Sequence, residues 1–204
     1  NWALICLKSD GSLRGWGGNF SSTDGAPSAT VYPSGANVNS GVVKFDASEG
    51  GCIALKNDGS VAFLGYSGSS VLVNPTTFYP SGSNITSGVV DVAVSNFNFV
   101  ALKGDGSVVV WGENASTYAT ALTGIYAVKL IKPSPEFIFV LTGSGRLVKI
   151  SNFALPGYSS GVLTDVVDVV AGGGGFLLLN SDGRLGAYTG ESIMYFHGID
   201  IAVF

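Results

Sequence analysis

Four aspartates recur in one context, Asp10, Asp58, Asp105 and Asp182, each followed at once by glycine. Carboxylates at a repeated position either gather a cation or hold a turn. Calcium loops alternate several oxygen ligands ahead of their glycine; Lys8-Ser9-Asp10-Gly11 and Lys103-Gly104-Asp105-Gly106 do not. The aspartates therefore read as turn formers, and no metal site is expected. His197 is the single histidine, beside Gly198 at the start of an apolar run, which fits a turn residue better than a lone catalytic base. The run Gly172-Gly173-Gly174-Gly175 has the composition of a phosphate loop, but Phe176-Leu177-Leu178-Leu179 follows it as a strand, with no lysine and no helix start to cradle an anion. It reads as a tight turn. No catalytic, metal-binding or cofactor-binding set emerges, and the chain is expected not to be an enzyme.

Three triplets could accept an N-linked glycan: Asn19-Phe20-Ser21, Asn84-Ile85-Thr86 and Asn114-Ala115-Ser116. Asn84, in a long connection beside glycine and serine, is the best placed. Use of any of them would make the chain a secreted, surface-exposed glycoprotein.

The elements that must position these residues are hairpins. Val100-Ala101-Leu102-Lys103-Gly104-Asp105-Gly106-Ser107-Val108-Val109-Val110-Trp111-Gly112 is an apolar run, a polar tip with Asp-Gly, and a second run of β-branched residues. The pattern returns along the chain in hairpins at 5–17, 53–65, 100–112, 139–150 and 177–188, and only the fourth lacks the aspartate, with Ser144 in its place. Each hairpin follows another apolar run, such as Gly41-Val42-Val43-Lys44-Phe45 or Gly88-Val89-Val90-Asp91-Val92-Ala93-Val94. Every repeat thus offers three strands, with the connecting segment as a possible fourth. The spacing, about 40 to 50 residues, is that of a solenoid or a propeller, and no useful helical periodicity appears anywhere. One all-β domain, 1–204, is expected.

Charged residues make up 12% of the sequence and the net charge is −4, which leaves no basic stripe for nucleic acid. The longest apolar runs are strand-sized, so no membrane span is expected. Beginning at Asn1 with no signal-peptide pattern, the sequence reads as a processed or excerpted piece. Cys6 and Cys52 fall on corresponding strands of neighbouring repeats. A bridge there needs a favourable Cα separation, and two buried free thiols are the expected state.

The arrangement Gly-Val-Val-Asp-Val-Ala-Val at 88–94, then Ala-Leu-Lys-Gly-Asp-Gly-Ser-Val at 101–108 and Trp111-Gly112, resembles the repeat of the regulator of chromosome condensation family. The resemblance covers essentially the whole chain. It implies a β-propeller of five tandem repeats, either a closed five-bladed ring or part of a larger one, since the family usually forms seven blades. Trp16 and Trp111 correspond to Leu64, Ile150 and Tyr188 in the other copies, which fits a large apolar plug between blades. Residues 200–204 written ahead of residues 1–8 match 91–103, as a ring closed by its two ends would require.

Length varies mainly after the hairpin. The two long connections contain near-copies, Tyr32-Pro33-Ser34-Gly35-Ala36-Asn37-Val38-Asn39-Ser40 and Tyr79-Pro80-Ser81-Gly82-Ser83-Asn84-Ile85-Thr86-Ser87. Extra length on one rim of a repeat scaffold is where binding surfaces accumulate, so Tyr32, Pro33, Asn37, Tyr79, Pro80 and Asn84 are candidates for gripping a partner. A duplicated loop with no partner is the competing reading. The family includes guanine-nucleotide exchange factors, ubiquitin-ligase adaptors and bacterial β-lactamase inhibitors, which share a loop-built face that grips another protein. A non-catalytic protein-protein interaction or structural module is therefore implied. Low charge with abundant Gly, Ser and Asn suits an extracellular or cell-surface assembly. An intracellular, cytoplasmic adaptor or exchange factor-like propeller is the alternative.

Overall fold

The computed structural model of the chain describes residues 4–17, 24, 31–32, 36–48, 51–65, 82, 84–95, 98–113, 115–133, 137–151, 163–172, 175–188 and 193–196. Five small antiparallel sheets follow one another along it. The first pairs β1 (Leu4–Leu7) with β2 (Leu13–Trp16). The second holds β3 (Val31–Tyr32), β4 (Val42–Ser48), β5 (Gly51–Lys56) and β6 (Val61–Gly65) in the order β3-β6-β5-β4. The third is β7 (Val89–Ser95), β8 (Asn98–Lys103) and β9 (Val108–Gly112), followed by a helix, α1 (Ala115–Ala121). The fourth is β10 (Val128–Pro133), β11 (Phe137–Thr142) and β12 (Leu147–Ser151). The fifth is β13 (Val166–Gly172), β14 (Gly175–Asn180), β15 (Leu185–Tyr188) and β16 (Ile193–Phe196).

The hairpin tips close alike. In the third, Lys103 N donates to Ser107 O at 2.8 Å and Gly106 N to Lys103 O at 3.0 Å. Gly106 takes φ +81°, a left-handed conformation that costs an L side chain about 1–2 kcal/mol and costs glycine far less. A second reason for glycine lies in the next repeat. A Cβ on Gly11, Gly59 or Gly106 would stand 2.9, 3.0 and 2.9 Å from Gly41 N, Gly88 N and Ala127 Cα. That closeness lets the tip carbonyls reach across: Val42, Val89, Val128 and Val166 donate to Gly11, Gly59, Gly106 and Gly145 at 2.9 to 3.1 Å. Return bonds run from Asn57, Gly104, Gly143 and Ser181 to Gly41, Gly88, Ala127 and Asp165 at 2.8 to 2.9 Å.

Sheets therefore lie side by side in chain order, with β1 against β4, β4 against β7, β7 against β10 and β10 against β13. Alternate residues of a strand serve opposite faces. In β8, Phe99 and Ala101 pack with Ile53, Leu55 and Phe63 of the second sheet, while Val100 and Leu102 pack with Ile131, Ile138 and Val140 of the fourth. Both faces are covered, so β8 is buried almost end to end and its sequence is a continuous apolar run rather than an alternating one. Phe99 stacks on Trp111 with ring centroids 5.6 Å apart, and Phe63 lies 5.5 Å from Phe99. Such pairs add about 0.5–1.5 kcal/mol each to the burial of their rings.

The structure refines three expectations. Among the described residues every element is a strand except α1, whose Ala115 and Tyr118 are buried against the fourth sheet; a helix of seven residues is too short for its periodicity to stand out. Fourth strands occur in two forms: β3 precedes its sheet and β16 follows its sheet. The apolar plug holds at Leu64, Trp111 and Ile150, but Trp16 remains 40% and Leu4 68% exposed because nothing among the described residues covers that face of the first sheet. The matching ends, at residues 1–3 and 197–204, lie outside the described residues, as does His197.

Candidate functional site

The turn aspartates are occupied with the turns. Asp58 Oδ1 accepts Ser60 N at 2.9 Å and Ser60 Oγ at 2.6 Å. Asp10 with Ser12 and Asp105 with Ser107 repeat those distances. Asp182 holds Arg184 through N at 3.1 Å and Nε at 2.6 Å. These bonds keep all four carboxyls below their ordinary value, the serine hydroxyl being the largest cause at 10, 58 and 105 and the Arg184 amide at 182. In the fourth repeat a hydroxyl pair does this work, Thr142 Oγ1 lying 2.9 Å from Ser144 Oγ and accepting Arg146 N at 3.1 Å.

Asn37 and Asn84 are brought to equivalent exposed places ahead of β4 and β7. Asn37 Oδ1 accepts Asn39 N at 3.1 Å, and its carbonyl accepts Lys56 Nζ at 3.1 Å. Asn84 Oδ1 accepts Thr86 Oγ1 at 3.2 Å, and its carbonyl accepts Lys103 Nζ at 3.3 Å. The next residue is the anchor. Val38 and Ile85 are buried, and their carbonyls accept Leu13 N at 2.7 Å and Val61 N at 2.8 Å. Leu163 does the same for Leu147 N at 2.8 Å. The near-copied segments are thus a clamp that seats one repeat on the next, and that explains their likeness. Tyr32 belongs to the outer strand β3, paired with Phe63, rather than to a free loop. Pro33, Tyr79, Pro80, Asn19 and Asn114 lie outside the described residues.

Two further groups of polar residues sit at the sheet junctions. Each inner strand carries a bulge near its start, at Val42/Lys44, Val89/Asp91, Val128/Leu130 and Val166/Asp168. Asp91 and Asp168 each cap the following amide at 2.8 Å, and Asp91 also pairs with Lys44. Asp46 accepts Val94 N at 2.7 Å and Ala47 N at 2.9 Å, and burial pushes its carboxyl above the ordinary value against those bonds. Cys6 is half-buried and Cys52 buried, and both are free. Burial, with Asp46 adding to it, drives the Cys52 thiol up to about 12, so it behaves as a small apolar group. Among the described residues no three His, Cys, Asp or Glu side chains gather as a metal set.

A feature that periodicity did not signal lies beside α1. A groove of 790 Å³ runs between the helix, the third hairpin and the segment leading to β10. Val108, Val110, Ala119, Leu122 and Ile125 line it, Asp105 is the charged residue at its edge, and Tyr126 stands 78% exposed beside them. Its only sequence signal is the short connection between the third and fourth repeats.

No family profile matches the chain, and no curated protein matches it in sequence. Solved structures do. Human WBSCR16 superposes with a TM-score of 0.63 at 15% identity, over 92% of this chain and 58% of that one. Prp20p, the RCC1 of Saccharomyces cerevisiae, gives 0.57 at 19% identity, over 91% and 54%. The CRINKLY WD40 ectodomain of the Arabidopsis thaliana receptor kinase ACR4 gives 0.59 at 15%, over 94% and 65%. The chain thus spans between about half and two thirds of the length of the structures it matches. At these identities the likeness is one of fold, and the fold is that of the RCC1-type repeat propellers, in agreement with the hairpin motif. No helix among the described residues is long and apolar enough to cross a membrane.

Proposed function

We propose that the chain is a non-catalytic protein-binding module whose repeats are propeller blades, and that it works in an extracellular or cell-surface assembly. The observation that carries the reading is the fate of the repeated polar residues. Asp10, Asp58 and Asp105 hold their own turns, and Lys56 and Lys103 hold the clamps. What varies between repeats is left for recognition: helix α1 and the exposed Tyr126 that follows it. Propellers of this fold serve such ends elsewhere, one solved with Kap60 bound to yeast RCC1 and another forming a receptor-kinase ectodomain. The exposed Asn84 with Thr86 supports a glycan acceptor on this rim. Exposure of Leu4 and Trp16 on the first sheet, and of Val170 and Leu177 on the last, supports blades of a ring larger than five rather than a closed five-bladed one.

The test is the intact mass of the native protein before and after enzymatic removal of N-linked glycans. A fall on treatment is expected, and a remaining excess over the sequence mass would report further repeats. A mass equal to that of the sequence, unchanged by treatment, would remove the secretory reading and the larger ring together. The likeness to Prp20p, a protein with binding properties toward Gsp1p, favours a second reading as an intracellular adaptor or exchange factor-like propeller. It predicts accelerated nucleotide release from a small GTPase, and no effect across a panel would discard it.

A further inference from the structure

From the groove beside α1 we infer a binding site for an extended peptide that carries a branched aliphatic residue next to a cation. The protein shows what such a groove accepts. At three junctions the amide that opens the second hairpin strand, at Leu13, Val61 and Leu147, donates to the carbonyl of a chain segment laid across it. That segment sets an aliphatic side chain into the junction: Val38, Ile85 or Leu163. The third hairpin offers the same amide at Val108, and among the described residues no carbonyl accepts from it.

Two sequence changes leave this junction open at its main chain. Val38 and Ile85 stand three residues ahead of the left-handed residues Gly41 and Gly88; three ahead of their counterpart Ala127 stands Gly124, which has no side chain to insert. Among the described residues a Cβ built on Gly124 meets nothing within 4 Å. Ile125 holds the position of Leu163 and, like it, is partly buried against the junction, but its own amide is bound to Leu122 O at 2.9 Å, behind the end of α1, and among the described residues its carbonyl does not reach Val108. The result is a groove with an aliphatic floor of Val108, Val110, Leu122 and Ile125 and an open strand amide at its edge. That pairing recognises a β-strand-like peptide through main chain and one side-chain pocket. Asp105 supplies the charge preference: it is exposed at the groove edge, and its bonds from Ser107 keep it ionised.

The site rests on the protein-binding half of the proposed function and is independent of where the protein resides, so its failure and a failure of the glycan test are separable. The probes are acetyl-Lys-Asn-Ile-Thr-Lys-amide, its counterpart with Glu in place of both Lys, and its counterpart with Gly in place of Ile. Backbone amide NMR of the whole chain reads Val108, Val61 and Leu147. In the free protein the Val108 amide is expected to exchange with deuterium much faster than those of Val61 and Leu147. On titration the lysine peptide should shift and protect Val108 saturably. It should bind about fivefold more tightly than the Glu peptide, as one exposed charge contact allows, and at least about tenfold more tightly than the Gly peptide. Asp105→Asn should erase the first difference. Ala119→Trp should fill the groove and abolish binding while Val61 and Leu147 stay protected. A Val108 amide already as protected as Val61, or unmoved at millimolar peptide, would overturn the site; equal binding of the Lys and Glu peptides would overturn its cation preference.

Discussion

Replacing Gly106 by alanine should cost far more than replacing Gly183, although both glycines are left-handed, at φ +81° and +83°. The conformational cost of an L side chain is common to both, about 1–2 kcal/mol, offset by ~0.4–1 kcal/mol from the stiffer unfolded chain. For Gly183→Ala little else changes, because among the described residues a Cβ there meets nothing within 4 Å, and a loss of about 1 kcal/mol is expected. At Gly106 the new Cβ falls 2.9 Å from Ala127 Cα and 3.2 Å from Ala127 C and Val128 N. Carbon atoms rest at ~3.5–4.0 Å, and backbone cannot rotate out of the way. The third and fourth repeats must therefore separate, which adds an overpacking cost of about 1–3 kcal/mol. It also weakens the bonds Val128 N to Gly106 O (3.1 Å) and Gly143 N to Ala127 O (2.8 Å), each of net worth ~1 kcal/mol. A total near 3 kcal/mol follows, a gap of about 2 kcal/mol between the two variants. With a urea slope of ~2 kcal/mol per molar, the midpoints should differ by about 1 M. Tryptophan fluorescence in a urea titration reads this through the buried Trp111. Midpoints that agree within about 0.2 M would refute the argument that tip glycines are needed for the approach of the next repeat.

Further outcomes follow from the same geometry. Ala127→Gly relieves a non-glycine residue at φ +52° where Gly41 and Gly88 stand in two other repeats, and should raise stability by about 0.5–1 kcal/mol in the same titration. Asp165→Gly, at φ +62°, should gain less, since aspartate tolerates that region. In the native protein at pH 8 a thiol reagent should modify Cys6 and spare Cys52, and both should react in denaturant, as counted by mass spectrometry. Asp10, Asp58, Asp105 and Asp182 titrate lower when folded than when unfolded, so their contribution is complete above the unfolded value, ~3.9, and is lost as pH falls from there through the folded values. Thermal melts should accordingly drop below about pH 4, and the double variant Asp58→Asn with Asp105→Asn should show a shallower acid limb.

The hairpins were legible because their sequence requirement is local. An Asp-Gly tip between β-branched runs has one economical conformation, and Asp58 with Ser60 or Asp105 with Ser107 shows the same atoms in the same bonds. The meaning of the long connections was not legible in that way. Asn37-Val38 and Asn84-Ile85 looked like duplicated binding loops, yet their likeness comes from bonds to Leu13 and Val61, residues more than twenty positions earlier that no local pattern relates to them. α1 was missed for a related reason. Seven residues without a charged first or last turn carry little helical signal, and burial of Tyr118 against the fourth sheet, rather than propensity, secures the element.

The repeats also act as substitutions of one another, and that bears on function. The fourth tip lacks the aspartate, yet Thr142, Ser144 and Arg146 rebuild its hydrogen bonds and β11 and β12 pair in the same register. An aspartate kept for chemistry would not be replaceable by a hydroxyl that can neither carry its charge nor take up a proton as it does; one kept for a turn would. The opposite case is Gly124. Its counterparts in the repeat pattern are Val38 and Ile85; Ile125 returns a partly buried aliphatic side chain, but among the described residues no carbonyl takes the Val108 amide, and the segment that closes other junctions is held back by Leu122. A loss that the fold repairs marks scaffold. A loss that it leaves open, beside residues still shaped to receive the missing group, is where a partner's chain has room to enter.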